Sequence, residues 1–273
     1  MWPIDPSTSK PPEGWTGWPE GKRFALSLSH DVESAKGYGR VLDLARIEQG
    51  LGFRSTFNFV PEAYGTISPE IMRTLKTMGF GIGVHGLKHD GKLFLSRRIF
   101  DARVPRINHY LKRWGAEGFS SPSMHHNLEW LKDLKIEYSI STFDTDPFEP
   151  QPDASGTIFP IWIPARENGD GIVELPLTMP QDFTLFVILR EETNKIWKEK
   201  LDWIARKGGM VILNTHPDYM SFSDEDEIAY SYPIRLYTDF IGYVKEKYQG
   251  KFYNAKPKDL AAHYRRQIIA RKR

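Results

Sequence analysis

Apolar residues along the chain fall into two alternating patterns. FALSLSH (24–30), FRSTFNFV (53–60), GFGIGVH (79–85), GFSSP (118–122), IEYSIST (136–142), GIVELPL (171–177) and GMVILNTH (209–216) are short, β-rich runs and read as strands. Between them lie longer stretches, near 36–49, 68–78, 97–114, 127–134, 193–207 and 227–247. There the apolar residues recur at three and four, as at Ile99, Val104, Ile107 and Leu111, which predicts amphipathic helices. Alternation of this kind predicts a parallel sheet with helices outside. Seven strands favour an α/β fold of one type, a distorted or incomplete (β/α) barrel, over an open doubly wound sheet. No G-x-G-x-x-G follows the first strand and no P-loop occurs, so no nucleotide cofactor is expected. A Pro/Trp-rich arm (1–22) precedes one domain (23–273). Its Trp2, Trp15 and Trp18 are expected to pack across the barrel, with stacking on sugar rings as the other use of such side chains.

In barrels and open α/β sheets, ligands bind at the carboxyl ends of the strands, and the polar residues of this chain concentrate there. The first strand ends in SHDVE, with His30, Asp31 and Glu33. The third runs into GVHGLKHD, where His85 and His89 stand four apart among glycines. That spacing suits a metal clamp, but the glycines argue for a strand bending into a loop rather than a helix face. Further rim positions are His125 and His126, Asp144 and Asp146, and His216 and Asp218. Six of the eight histidines sit at these ends. Burying so many polar groups without use would cost stability, so a metal hydrolase site is the leading reading.

Composition narrows the chemistry further. The chain has 273 residues and no cysteine, which excludes thiol catalysis, Cys-based zinc sites and iron–sulfur clusters. A net charge of +2 argues against nucleic acid as the main partner. No secretory signal pattern and no apolar run long enough to span a membrane are visible, so a cytoplasmic location is expected.

Taken in order, these motifs resemble the polysaccharide deacetylases of the NodB-homology type, carbohydrate esterase family 4. The resemblance covers roughly residues 24–220. LSHDVE (28–33) is similar to the family's first acidic motif, STFNFV to its second strand, and HGLKH to its H-x-x-x-H motif. FSSP stands where the family has R-x-P, STFDTD where it has its next acidic motif, and VILNTH where a strand ends in the catalytic histidine. The resemblance implies a metal-dependent hydrolase acting on a non-peptide carbon–nitrogen bond. Its substrate would be an N-acetylated amino sugar or glycan precursor. It further implies His85, His89 and a carboxylate as ligands of a divalent metal: Zn²⁺, or Co²⁺, Ni²⁺ or Fe²⁺, since ligand type leaves the metal open. A catalytic aspartate would act as base and His216 as acid.

Two positions depart from the family pattern. The first motif aligns in either of two ways. Asp31 is the base and Glu33 the metal ligand, or Asp31 is the ligand and His30 stands at the base position. The first is preferred because an i, i+2 pair points to one side of an extended strand. The second departure is Ser120, which occupies the place of the arginine that pairs with the base. It supplies neither charge nor a bidentate fork, unless Lys88 or Arg54 substitutes. The alternatives are therefore a catalytically impaired carbohydrate-binding relative, or a hydrolase of another carbon–nitrogen bond such as a cyclic amide. His125, Asp144 and Asp146 are candidate substrate contacts, and Gln181 and Asp182, in a loop expected over 176–186, could reach the site.

Overall fold

A computed structural model describes residues 5–145, 147–166, 171–223 and 230–271. All seven expected strands form: β1 (Phe24–Val32), β2 (Thr56–Phe59), β3 (Gly81–His85), β4 (Gly118–Ser120), β5 (Tyr138–Ile140), β7 (Ile172–Glu174) and β8 (Met210–Thr215). They are joined by β6 (Ile161–Ile163), antiparallel to β7, and by β11 (Phe252–Asn254), parallel to β1. The order is β11-β1-β2-β3-β4-β5-β7-β6, and β8 pairs with the other side of β1. The sheet is thus a curled, mostly parallel half-barrel flanked by helices. Between β7 and β8 no ladder forms. The chain beyond β7 fills that gap instead, through Met179 N–H to the Ile212 carbonyl and Ile212 N–H to Thr178 Oγ1. The two strands that periodicity missed have three residues each, too short for alternation to register.

Helices α1 (Ala35–Leu51), α2 (Pro69–Thr77), α3 (Arg97–Trp114), α4 (Leu128–Leu131), α5 (Lys195–Lys207) and α6 (Arg235–Tyr248) match the expected stretches. Their limits follow local chemistry. Ser34 and Ser96 accept backbone N–H bonds at the starts of α1 and α3, and Gly52 and Gly115 close both in the left-handed conformation. The expected start of α6 near 227 lies outside the described residues. From Tyr232 to Pro233 the chain instead forms β10, paired with β9 (Met220–Ser221). A final helix, α7 (Pro257–Arg271), packs against β1, β5 and β7.

Alternation along β1 divides the core. Leu26, Leu28 and Val32 pack outward, with Phe57, Phe59 and the helices. Ala25 faces inward with Met210, Ile212, Val173, Tyr138, α7 and Trp18. Each fully buried aliphatic or aromatic side chain contributes roughly 1.5–3 kcal/mol. The arm packs as expected. Trp18 Nε1–H donates to the Gly208 carbonyl, and Trp15 meets Trp18, Phe159 and Tyr264 edge-on or tilted. Neither indole is presented as an open stacking face; Trp2 lies outside the described residues.

Candidate active site

The inward register that ends in Ala25 at the bottom of β1 carries Ser29 and Asp31 at its top. Parallel pairing sets Asp31 beside Asn58 of β2, Ser29 beside Asn214 of β8, and His85 of β3 beside Ser120 of β4. These positions meet inside the barrel. Asp31 Oδ1 accepts from Asn58 Nδ2 at 2.8 Å, and Oδ2 accepts from Asn214 Nδ2 at 2.8 Å and Ser120 Oγ at 3.0 Å. Asp31 is therefore held by three neutral donors from three strands. Neither cation considered from sequence stands in. Arg54 bonds to the Met78 and Phe53 carbonyls, and Lys88 is exposed on a neighbouring hollow. The sequence did carry a signal for the amides actually used. Asn58 and Asn214 are isolated polar residues at inward positions of apolar strands.

Glu33 follows β1 and groups with His85 and His89, one ligand atom of each lying within 4.8 Å of the others. His85 Nδ1–H donates to the Ser120 carbonyl at 3.1 Å, which turns Nε2 toward Glu33 Oε1 at 3.5 Å. Beyond β3 the chain turns at Gly86 (φ +62°), where a Cβ would meet Pro122 Cγ at 2.3 Å. His89, itself left-handed (φ +49°), is thereby brought back with Nε2 2.8 Å from Glu33 Oε1. The pair converges through a glycine-permitted bend, as the sequence suggested.

These three residues fit a divalent metal. Both Nε2 atoms are buried without a hydrogen bond, because even the 2.8 Å approach of His89 is off the hydrogen-bonding direction. Two orphaned ring nitrogens and a carboxylate converging on one point make a two-histidine, one-carboxylate donor set. His85 also shows the outer-shell backbone bond that fixes the tautomer of metal-ligating histidines. Burial works to raise the Glu33 pKa, but His216, His85 and His89 outweigh it and hold the carboxyl well below the usual carboxylate range.

His216 comes from the end of β8. Asp182 accepts twice from it, at Oδ1 from the ring Nδ1–H (2.7 Å) and at Oδ2 from the backbone N–H (2.8 Å). Tyr232 adds a third bond to Asp182 at 2.9 Å. Nε2 is left facing the site, 3.7 Å from Glu33 Oε1. Burial opposes a charged ring here, but Asp182 and then Glu33 push the His216 pKa up to about 10. The expected loop over 176–186 becomes, from Phe183 to Ile188, a π-helix with Asp182 at its start. That wider winding is frequent at functional sites.

Other sequence candidates fall elsewhere. His30 points outward and is buried between Thr215 Oγ1 (2.8 Å) and Glu48 Oε1 (2.7 Å), so it cannot reach the water that a base at this site would activate. Asp144 is fully buried and paired with Lys200 Nζ at 2.9 Å, which corrects its expected substrate contact. His125 is exposed and lines the neighbouring hollow beside Lys88 rather than the cleft. Asp146 lies outside the described residues. The cleft, about 250 Å³, is lined by Asp31, Glu33, His85, His89 and His216 together with Ser121, Ser123, Met124, Glu149, Gln181, Phe183 and Tyr219. Glu149 and Tyr219 carry no periodic or motif signal, because loop residues enter a site through tertiary path alone.

No family model matches the chain, and no curated protein does either. Solved structures do match. A protein assigned as a polysaccharide deacetylase from Mycobacterium smegmatis is 18% identical, with TM-score 0.69, over 92% of this chain and 93% of its own. PuuE allantoinase is 15% identical, with TM-score 0.70, over 97% of both chains. A family 4 carbohydrate esterase from Streptomyces lividans, in complex with acetate, is 11% identical, with TM-score 0.50, over 86% of this chain and 93% of its own. The chain therefore has the fold of the polysaccharide deacetylases. No helix among its described residues is long and apolar enough to cross a membrane.

Proposed function

We propose that the protein is a metal-dependent hydrolase of a non-peptide carbon–nitrogen bond, with removal of an N-acetyl group from an amino sugar or glycan precursor as the leading reaction. The observation that carries this reading is the convergence of Glu33, His85 and His89 beside a clamped carboxylate, Asp31, and an Asp182-held imidazole, His216.

Glu33, His85 and His89 would hold a divalent ion, Zn²⁺ or else Co²⁺, Ni²⁺ or Fe²⁺. What such an ion supplies when bound is polarisation of the scissile carbonyl and of an attacking water. Asp31 takes the proton of that water. Its carboxylate is fixed in place by Asn58, Asn214 and Ser120, so no reorientation is needed as the bond forms. His216, kept charged by Asp182, gives its Nε2 proton to the departing nitrogen, so that the amine leaves as a neutral group. Glu33 fills the carboxylate ligand position and Asp31 the base position, since only Glu33 shares the histidine cluster.

The clamp speaks against the impaired-relative alternative. Three neutral donors orient the base where a single arginine was expected, so the absence of arginine at position 120 does not leave Asp31 unheld. Hydrolysis of a cyclic amide or ureide is retained as a second reading, because the fold is shared with an allantoinase and the same groups would perform it. The test is release of acetate from N-acetylated sugars, and ring opening of cyclic ureides, by chelated and by zinc- or cobalt-loaded protein. Metal-dependent turnover of either class supports the reading. A protein that binds no divalent metal overturns it.

A further inference from the structure

The charges around the cleft indicate what kind of molecule enters it. This inference rests on the cleft being the substrate site of the proposed hydrolase. Among the described residues that line it there are three carboxylates, Asp31, Glu33 and Glu149, and no lysine or arginine. Asp31 and Glu33 together offset the two charges of a divalent ion, and the charge of His216 is offset by Asp182. Glu149 is then uncompensated by any residue the reaction uses, and it gives the cleft a net negative charge.

Glu149 is also fixed in position. Its Oε2 accepts from Gln181 Nε2 at 2.9 Å and its Oε1 from Thr184 Oγ1 at 2.7 Å. Both partners flank Asp182 on the segment that orients His216, so the carboxylate is referenced to the acid itself. A carboxylate has about four acceptor positions, and donors on a bound molecule can share them. Phe183, from the same segment, packs on Tyr219 with ring centroids 4.8 Å apart, giving the cleft an aromatic surface beside the polar one. Its volume of about 250 Å³ is below the ~300–1,000 Å³ usual for ligand clefts.

We infer that Glu149 is a specificity-determining residue that accepts hydrogen bonds from hydroxyl or N–H groups of an uncharged, single-ring substrate and disfavours anionic analogues of it. Sugars bearing phosphate or carboxylate groups are excluded by like charge, and the small aromatic-lined space suits one ring.

The experiment compares two pairs of ligands on the zinc-loaded full chain. One pair is N-acetylglucosamine and its 6-phosphate, the other hydantoin and hydantoin-5-acetate. Binding is measured by calorimetry and turnover separately. The expected result is at least a tenfold preference for the neutral member of one pair, reduced tenfold in Glu149→Gln and reversed in Glu149→Lys. Equal binding of neutral and anionic members, a preference that survives Glu149→Lys, or no binding of any of the four overturns the inference. Neutral-selective binding without turnover leaves this recognition standing and counts against the hydrolase reading instead.

Discussion

Asn58 Nδ2 donates to Asp31 Oδ1 at 2.8 Å across the parallel β1–β2 ladder, in which the two residues are register partners. The same amide donates to Ser29 Oγ, so its orientation is fixed from two directions. Gly83 makes room for it, since a Cβ there would lie 2.0 Å from Asn58 Oδ1. A hydrogen bond to a charged group contributes about 1.5–3 kcal/mol. Replacing Asn58 with leucine is therefore expected to lower kcat by about 10- to 100-fold with KM and bound metal nearly unchanged. Steady-state kinetics with metal analysis checks this, and a purely structural role would lower metal content and folding along with kcat.

Ser120→Arg, which would restore the residue the family pattern expects, should not raise turnover. Ser120 is 1% exposed, and its Oγ bonds an Asp31 carboxylate that two amides already occupy. Forcing a long side chain into that space costs about 1–3 kcal/mol by overpacking, lowering the melting temperature by several degrees. Thermal denaturation and kinetics of the variant decide the point. A gain in kcat without loss of stability contradicts the neutral clamp.

The metal and acid functions should separate by mutation. His85→Ala and His89→Ala are expected to abolish stoichiometric zinc or cobalt binding. His216→Ala should keep the metal and lose turnover by about 10²- to 10⁴-fold, the usual worth of a positioned general acid. Elemental analysis alongside acetate release distinguishes the two classes. Native activity in His216→Ala would remove its acid role.

Asp182 sets the pH range of His216. The His216 pKa in the folded chain is pushed up to about 10, above its ordinary 6.5. The stability this contributes is fully present below about 6.5 and is lost as pH rises through about 10. Asp182→Asn removes a negative charge from the ring, so the alkaline limb of kcat should move to lower pH. The loss of stability between pH 7 and 10 should also shrink in the variant. Rate profiles and denaturant midpoints across that range test both. An unmoved alkaline limb would separate His216 from the acid step.

The Asp144–Lys200 pair makes a structural prediction. Both side chains are buried, with Nζ 2.9 Å from Oδ2. Lys200→Met strands a buried carboxylate and should destabilise the chain by about 3–5 kcal/mol, read from chemical denaturation. Had Asp144 served the substrate, as its place at a strand end suggested, KM would change instead.

The sequence by itself determined the seven principal strands, six of the helices and the segments that form the rim. Periodicity reports which face of an element is apolar, and turn residues report where it ends. It also brought out His85, His89, Glu33, Asp31 and His216, since motif order survives when the intervening chain diverges. Only the tertiary structure decided what surrounds them. Asn58, Asn214 and Ser120 converge on Asp31 because three strands come into register around β1, and register is a property of pairing, not of any one strand. Asp144 and His30 resembled site residues because strand ends carry both inward and outward side chains. Burial beside Lys200 and Glu48 is what sets them apart. Glu149 and Asp182 enter the cleft from segments whose path is fixed by packing across the gap between β7 and β8, a gap that no local pattern announces.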